Sequence, residues 1–414
     1  MITGQSSQSG SLKWNTILDS LSYRDFRWLW IGSFLSFLAM NMQMITRSWL
    51  VLRVTGDSPL ALTIVTLAFA LPMTVISPLG GALADRISTK KLIMYSQLAN
   101  ALLTLIIGIL DFTGLINFWL IMLIGIFNGS LMAISMPSRQ VIISDTVPDE
   151  KLMNAISLNH SSMNLTRILG PACAGFLILL FDTAGVFFIV AGTYLFSAAT
   201  IAAMNHNSTP SKKTKPVSKD IKEGLQYSFR DPVLKGLFIM SFIPVLFGYS
   251  YYALLPAWAR EALSINSDGL GILLMLMGIG ATAGTLGLAA IGTISNRGKV
   301  MILSSVIWGA SLAIFSQISV FWIAIPFLVL TGLASSLYMS LNMTMIQLNS
   351  SPEMRGRTMS IAMMTFGLMP LSAVPFGTIA EQIGTPDALS ISGILLVIAT
   401  IVYAARNRTF RQLQ

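Results

Sequence analysis

Twelve apolar runs of about 20 residues each follow one another along the 414-residue chain, separated by short polar breaks. They fall near 27–51, 60–84, 91–112, 116–136, 155–180, 185–204, 233–257, 269–292, 299–318, 321–345, 358–380 and 388–405. A helical run of that length spans the ~30 Å of hydrocarbon in a bilayer. Only 10% of the residues are charged, against about 25% in soluble domains. So little charge cannot cover a water-facing surface. The expected fold is an all-α membrane protein of twelve transmembrane helices.

The cations set the orientation. With the N-terminus inside, all of the 26 Lys and Arg fall in inner segments except Arg47, Arg53, Arg167 and Arg260. This asymmetry predicts that both termini are cytoplasmic. The net charge of +9 therefore reflects membrane topology, and no nucleic-acid partner is expected. The first stretch is polar, so no cleaved signal peptide is expected and the first helix targets the chain. The single cysteine, Cys173, excludes an internal disulfide and a cysteine metal cluster.

The chain repeats itself. Arg24-Asp25 recurs as Arg230-Asp231, 206 residues on; Phe118-Trp119 as Phe321-Trp322 and Gly129 as Gly332, both 203 on. Pro148 recurs as Pro352, 204 on, and Gly175 as Gly377, 202 on. A nearly constant offset of half the length predicts two six-helix halves, 1–205 and 232–414. The polar, basic segment 206–231 between them reads as a cytoplasmic linker with a surface helix near lipid headgroups.

No HExxH, Walker loop, Gly-x-Ser-x-Gly or metal cluster occurs in the sequence. Neither catalysis nor a cofactor is expected, and the polar residues inside the spans become the informative ones. Gln43 and Arg47 share a face of helix 1, with Asn41 nearby. Arg47 has two readings: it snorkels to the outer headgroups beside Arg53, or it faces a cavity as an anion-attracting cation. His160, Asn164 and Arg167 share a face of helix 5. Arg167 lies about three turns deep, so it should face the bundle, in contact with substrate or in a buried structural pair. Gly170-Pro171 and Gly175 permit close packing and a bend. Tyr249 and Tyr252 of helix 7 either line a cavity or belong to the outer aromatic belt.

Gly80 to Leu92, GGALADRISTKKL, resembles the loop between helices 2 and 3 of the major facilitator superfamily, with Gly81, Leu83, Asp85, Arg86 and Lys90 matching and Ser88 and Thr89 departing. Gly170, Pro171 and Gly175 resemble that superfamily's helix-5 exporter motif, while Thr166 and Ala174 replace glycines. The segments Ser33 to Gly56, Met136 to Arg139, Asn154 to Ser157, Asn164 to Gly175 and Pro352 to Arg357 resemble its enterobactin-exporter and macrolide-efflux branch. Helix 4 lacks the buried arginine of the proton-linked drug-antiporter pattern, and Arg139 lies at its cytoplasmic end instead.

The resemblance implies a monomeric, multi-pass protein of the bacterial inner membrane. It would export amphipathic small molecules by alternating access, coupled to protons. It implies a substrate cavity of Asn41, Gln43, Arg47, Asn128, Asn164, Arg167, Tyr249, Tyr252 and Asn342. Asp85 should meet the amino end of helix 11 near Arg357, with Arg86, Lys90, Arg139 and Arg355 completing an inner latch. No carboxylate lies deep in any run; His160 and Glu381 are the remaining candidates for proton coupling. Facilitated diffusion, import or lipid handling, and a scaffold or sensor role stay open as alternatives.

Overall fold

The computed structural model describes residues 18–205, 217–291, 296–351 and 354–407. No strand occurs among them. A 3-10 turn at Asp19–Ser22 precedes α1 (Arg24–Thr55), α2 (Pro59–Arg86), α3 (Thr89–Phe112) and α4 (Phe118–Thr146). The helical stretch Asp149–Ala202 is broken at Asp182, where φ is 55° and ψ 178°, giving α5 (149–181) and α6 (183–202). Then come α7 (Val217–Arg230), α8 (Pro232–Phe247), α9 (Ser250–Leu263), α10 (Ser267–Ile291) and α11 (Arg297–Ser316). The chain closes with α12 (Phe321–Leu348), α13 (Arg355–Gly367), α14 (Met369–Ile383) and α15 (Thr385–Arg406). Among the described residues ten helical stretches are long and apolar enough to cross a membrane, with Asp149–Ala202 and Pro232–Leu263 counted once each.

Local chemistry sets several of these ends. Asp231 caps α8 by accepting from the Val233 and Leu234 amides at 2.8 and 2.9 Å, and Pro232 follows where a missing N–H costs nothing. Asn117 caps α4 by accepting from the Leu120 amide at 3.0 Å. Gly56 and Asp57 both take left-handed backbone, φ 65° and 66°, and turn the chain from α1 into α2.

Two runs that read as continuous are divided. The run near 233–257 breaks between α8 and α9, then continues to Leu263. The Gly248 amide bonds back to the Pro244 carbonyl at 2.6 Å, and the Trp308 ring of α11 fills the space beside Gly248. The run near 358–380 divides at Leu368, and Pro370 opens α14. Neither break shows as polarity, so hydropathy passes over both.

The sequence repeat reappears as equivalent contacts. Gly129 of α4 backs onto the Phe69 carbonyl of α2, and Gly332 of α12 backs onto the Met277 carbonyl of α10. A methyl group on either glycine would overlap that oxygen. Gly175 of α5 backs onto Ser267 and Gly271 of α10, and Gly377 of α14 onto Thr63 of α2. The first pair packs helices within α1–α6 and within α8–α15; the second joins those two sets. Phe118–Trp119 and Phe321–Trp322 are both edge-to-face, each with centroids 5.3 Å apart. In lipid, helices gain no hydrophobic drive toward one another, so such close approach supplies much of the attraction.

Gly129→Leu and Gly332→Leu should therefore each cost about 3 kcal/mol or more by forcing two backbones apart. Gly192→Leu, at an exposed position with nothing within 4 Å of an added Cβ, should be neutral. Thermal unfolding of the purified variants, followed by intrinsic fluorescence, checks this; equal melting temperatures for all three would refute the packing account.

Candidate functional site

Contacts between α1–α6 and α8–α15 gather at the end of the bundle that holds the α1–α2 turn. Arg260 of α9 pairs with Asp57 of that turn, and its guanidinium lies 5.1 Å from the Trp49 ring centroid. Glu381 of α14 accepts from Ser58 Oγ at 2.9 Å and from the Leu60 amide at 3.3 Å. It thus places a carboxylate on the amino end of α2, where the helix dipole favours negative charge. Arg53 of α1 pairs with Asp111 of α3 and reaches both oxygens of Asp182, at 2.9 Å each, where α5 breaks into α6.

Deeper in the bundle a cavity of about 130 Å³ opens between α1 and α5 on one side and α9, α10 and α12 on the other. Its central contact is Arg167 of α5, whose Nη2 donates to the Tyr252 hydroxyl of α9 at 2.9 Å. Tyr252 rests on Tyr251, ring centroids 4.7 Å apart, and on Tyr249 at 6.2 Å. Tyr249 in turn meets Trp308 edge-on at 4.8 Å. Asn41, Asn164, Ser335 and Ser336 add polar atoms to the wall, while Met44 and Met277 add apolar ones. Among the described residues no Asp or Glu lines the cavity.

Four of the expected cavity residues, Asn41, Asn164, Arg167 and Tyr252, come together here. Tyr249 is buried behind them rather than in the aromatic belt. The others lie elsewhere. Gln43 donates to Thr104 Oγ1 at 2.9 Å and to Asn128 Oδ1 at 3.4 Å, and accepts from Tyr194 at 3.2 Å. Gln43 and Asn128 therefore belong to a buried network tying α1, α3, α4 and α6. Arg47 neither snorkels nor reaches the cavity: it is 7% exposed, with its guanidinium 4.7 Å from the Phe69 ring centroid of α2. Asn342 is fully buried and donates to Ser241 Oγ of α8 at 2.5 Å.

In the helix-5 motif, whose resemblance implies a bend or seal in the export cycle, Gly170 packs on Asn41, Gly271 packs on the Pro171 carbonyl, and Gly175 seats α5 on α10. Arg139 is buried, donates to Ser33 Oγ at 2.8 Å and lies 5.6 Å from the Phe37 ring centroid. Ser33 and Phe37 are both on α1, within the first helix set. Lys90 donates to the Met204 carbonyl. Arg357 pairs with Glu223 of α7 at 2.7 Å, and Arg355 is exposed. Gly81, Asp85 and Arg86 fall in α2, but their side chains lie outside the described residues, as does the expected contact with α13. His160 is exposed on α5, and Glu381 is held as a helix cap. Nothing in the motifs or helical spacing singles out Asp57 and Ser58, and Arg260 stands out only as an outer cation. The signal was present: few cations lie at that end, so a carboxylate there had few partners to choose from. Ser335 and Ser336 carried no signal, because small hydroxyls are common in helices that pack closely.

A multi-helix bundle with a cavity opening between two sets of helices, largely apolar but carrying an arginine and a tyrosine hydroxyl, is the architecture of a membrane transporter. The chain belongs to the transmembrane secretion effector family of the major facilitator superfamily, which it matches over residues 16–412. Its relatives are transporters, not enzymes, and a small molecule is the substrate. It is 26% identical to the staphyloferrin A transporter of Staphylococcus aureus over 388 residues, covering 93% of this chain and 97% of that protein. It is 23% identical to macrolide efflux protein A of Streptococcus pyogenes, covering 91% and 94%. It is 25% identical to the enterobactin exporter of Shigella flexneri, covering 67% and 66%. The fold is similar to a bacterial homologue of the human lysosomal transporter Spinster in an inward-facing conformation, with a TM-score of 0.75 at 15% identity, covering 97% and 98% of the two chains.

Asp57→Asn and Arg260→Gln should loosen the closed end. A partly exposed pair contributes about 1 kcal/mol or less, so a few-fold effect is expected. The check is labelling of Ser335→Cys in a Cys173→Ala background by an impermeant maleimide from the α1–α2 turn side. The rate should rise about 2- to 5-fold, and unchanged labelling would refute the clamp.

Proposed function

We propose that this protein is a secondary exporter of amphipathic small molecules in the bacterial inner membrane, working as a monomer by alternating access. The observation that carries the reading is the Arg167–Tyr252 cavity, which lies between the two helix sets and beyond a closed end. Twelve crossings follow if Asp149–Ala202 crosses twice because of the Asp182 break and α13–α14 supply one more. The paired contacts of Gly129 with Gly332 and of Gly175 with Gly377 support two homologous halves, 1–205 and 232–414, joined by the linker that holds α7. The cation distribution supports cytoplasmic termini; with that orientation the clamped end faces outward and α7 lies at the inner lipid surface. Relatives whose names denote siderophore and macrolide export support the direction of transport.

Proton coupling is the proposed driving force. A second reading, a facilitator, is favoured by one observation: among the described residues no carboxylate lines the cavity. The inner latch of Asp85, Arg86, Lys90, Arg355 and Arg357 is proposed from motif position, without Arg139, which is buried against α1. Asp85→Asn should raise labelling of Ser335→Cys from the inner side, and unchanged labelling would remove the latch.

The function is tested in inside-out vesicles with an acidic interior, following fluorescent drugs and a catecholate siderophore. Accumulation that an uncoupler abolishes and Arg167→Ala removes is the expected result. Saturable equilibration without accumulation would replace proton antiport with facilitation. No flux of any compound would overturn the exporter reading.

A further inference from the structure

Arginine charge in the interior of this protein is compensated unevenly. Arg53 has two carboxylates. Arg47 and Arg139 are buried against aromatic rings, and Arg139 also has a serine hydroxyl. Arg167 is exposed to the cavity, and its one hydrogen-bond partner among the described residues is a neutral phenol. A guanidinium carries five N–H donors, so four of them remain directed elsewhere. The Tyr252 oxygen accepts from Arg167, which leaves its own O–H proton free to donate. Two donors, one cationic, therefore converge on one side of the cavity, while Ile168, Leu274 and Met277 form an apolar wall beside them. A cation at membrane depth without an anion is unfavourable, and a bidentate carboxylate is the partner that guanidinium geometry fits best.

We infer that the cavity takes an amphipathic carboxylate, its anionic group held by Arg167 and the Tyr252 hydroxyl and its apolar body against the wall of Ile168, Leu274 and Met277. The inference rests on the cavity being the transport site and names the chemical class of its cargo. Tyr252 belongs to the opposite helix set from Arg167, so a ligand bridging them contacts both sets at once.

The test uses the full chain in neutral-lipid nanodiscs, with empty nanodiscs as the blank. Three fluorescent probes are titrated: dansyl-undecanoate, its methyl ester and the matching dansyl-alkylamine. The carboxylate should bind about 10-fold more tightly than the ester, with the amine weakest. Arg167→Gln should bring the carboxylate to the ester's affinity. Arg167→Lys should keep part of the preference, because it retains charge and loses the fork. Tyr252→Phe should weaken the carboxylate about 3- to 10-fold and leave the ester unchanged. Should Arg167→Gln fail to fold, the lysine and phenylalanine variants carry the test. Equal affinity for ester and carboxylate, or a preference that survives in Arg167→Gln, would overturn the inference. Flux of the same probes is read separately in proteoliposomes. Carboxylate preference without flux would overturn the exporter and leave the anion site standing. Flux of ester and carboxylate alike would keep the transporter and overturn the anion site.

Discussion

Close approach of helix backbones is the constraint on which the rest of this fold depends. Lipid tails are as apolar as leucine, so helices in a membrane cannot be driven together by hiding apolar surface. Attraction must come from contact itself, and contact is closest where a glycine lets one helix rest on another's carbonyl. Gly129 on Phe69 and Gly332 on Met277 fix the inside of each helix set. Gly175 on Gly271 and Gly377 on Thr63 fix one set against the other. The last two matter differently from the first two. They are contacts between bodies that must separate if the cavity is to open at that end, so small residues there give a seal without deep interdigitation.

Charge follows the same division of labour. Every carboxylate with a described ion pair at the clamped end sits at or beyond a helix end, as Asp57, Asp111 and Asp182 do. Water can solvate it there, and a helix amino terminus can help, as α2 does for Glu381. The interior holds cations with aromatic or hydroxyl neighbours. A ring face offers electrostatic attraction without a second charge to desolvate, which suits Arg47 over Phe69 and Arg139 over Phe37. The two joints between the helix sets are thus chemically distinct. One is the Arg260–Asp57 ion pair with the Glu381 cap of α2, and the other is the Arg167–Tyr252 hydrogen bond at the cavity.

Much of the fold was legible because hydropathy reports burial in lipid directly. Asp149–Ala202 shows the limit of that signal. Its two runs, 155–180 and 185–204, were separable in the sequence because Asp182 interrupts them, and the structure breaks there with left-handed backbone. The divisions at Gly248 and Leu368 were not separable, since proline and glycine bend a helix without lowering its apolarity. The repeat was legible at single residues. Its meaning was not, because a glycine in a list does not say which carbonyl it will meet.

The site shows why spacing alone runs out. Helical periodicity placed Asn164 and Arg167 on one face and Gln43 and Arg47 on another, and both statements hold in the structure. Periodicity cannot say what each face meets. The Asn164–Arg167 face meets a cavity shared with the other helix set; the Gln43–Arg47 face meets α2, α3, α4 and α6 of its own set. Arg47 and Arg167 are the same residue type within the helix bundle, yet one is buried and committed to its own helix set and the other faces the cavity with spare donors. What separates them is the partner each helix was given by tertiary packing. Gly170 pressed against Asn41 brings α5 and α1 into one wall, and Gly271 against Pro171 brings α10 across to face it. The glycines that hold the fold together therefore also decide which arginine is available to a ligand.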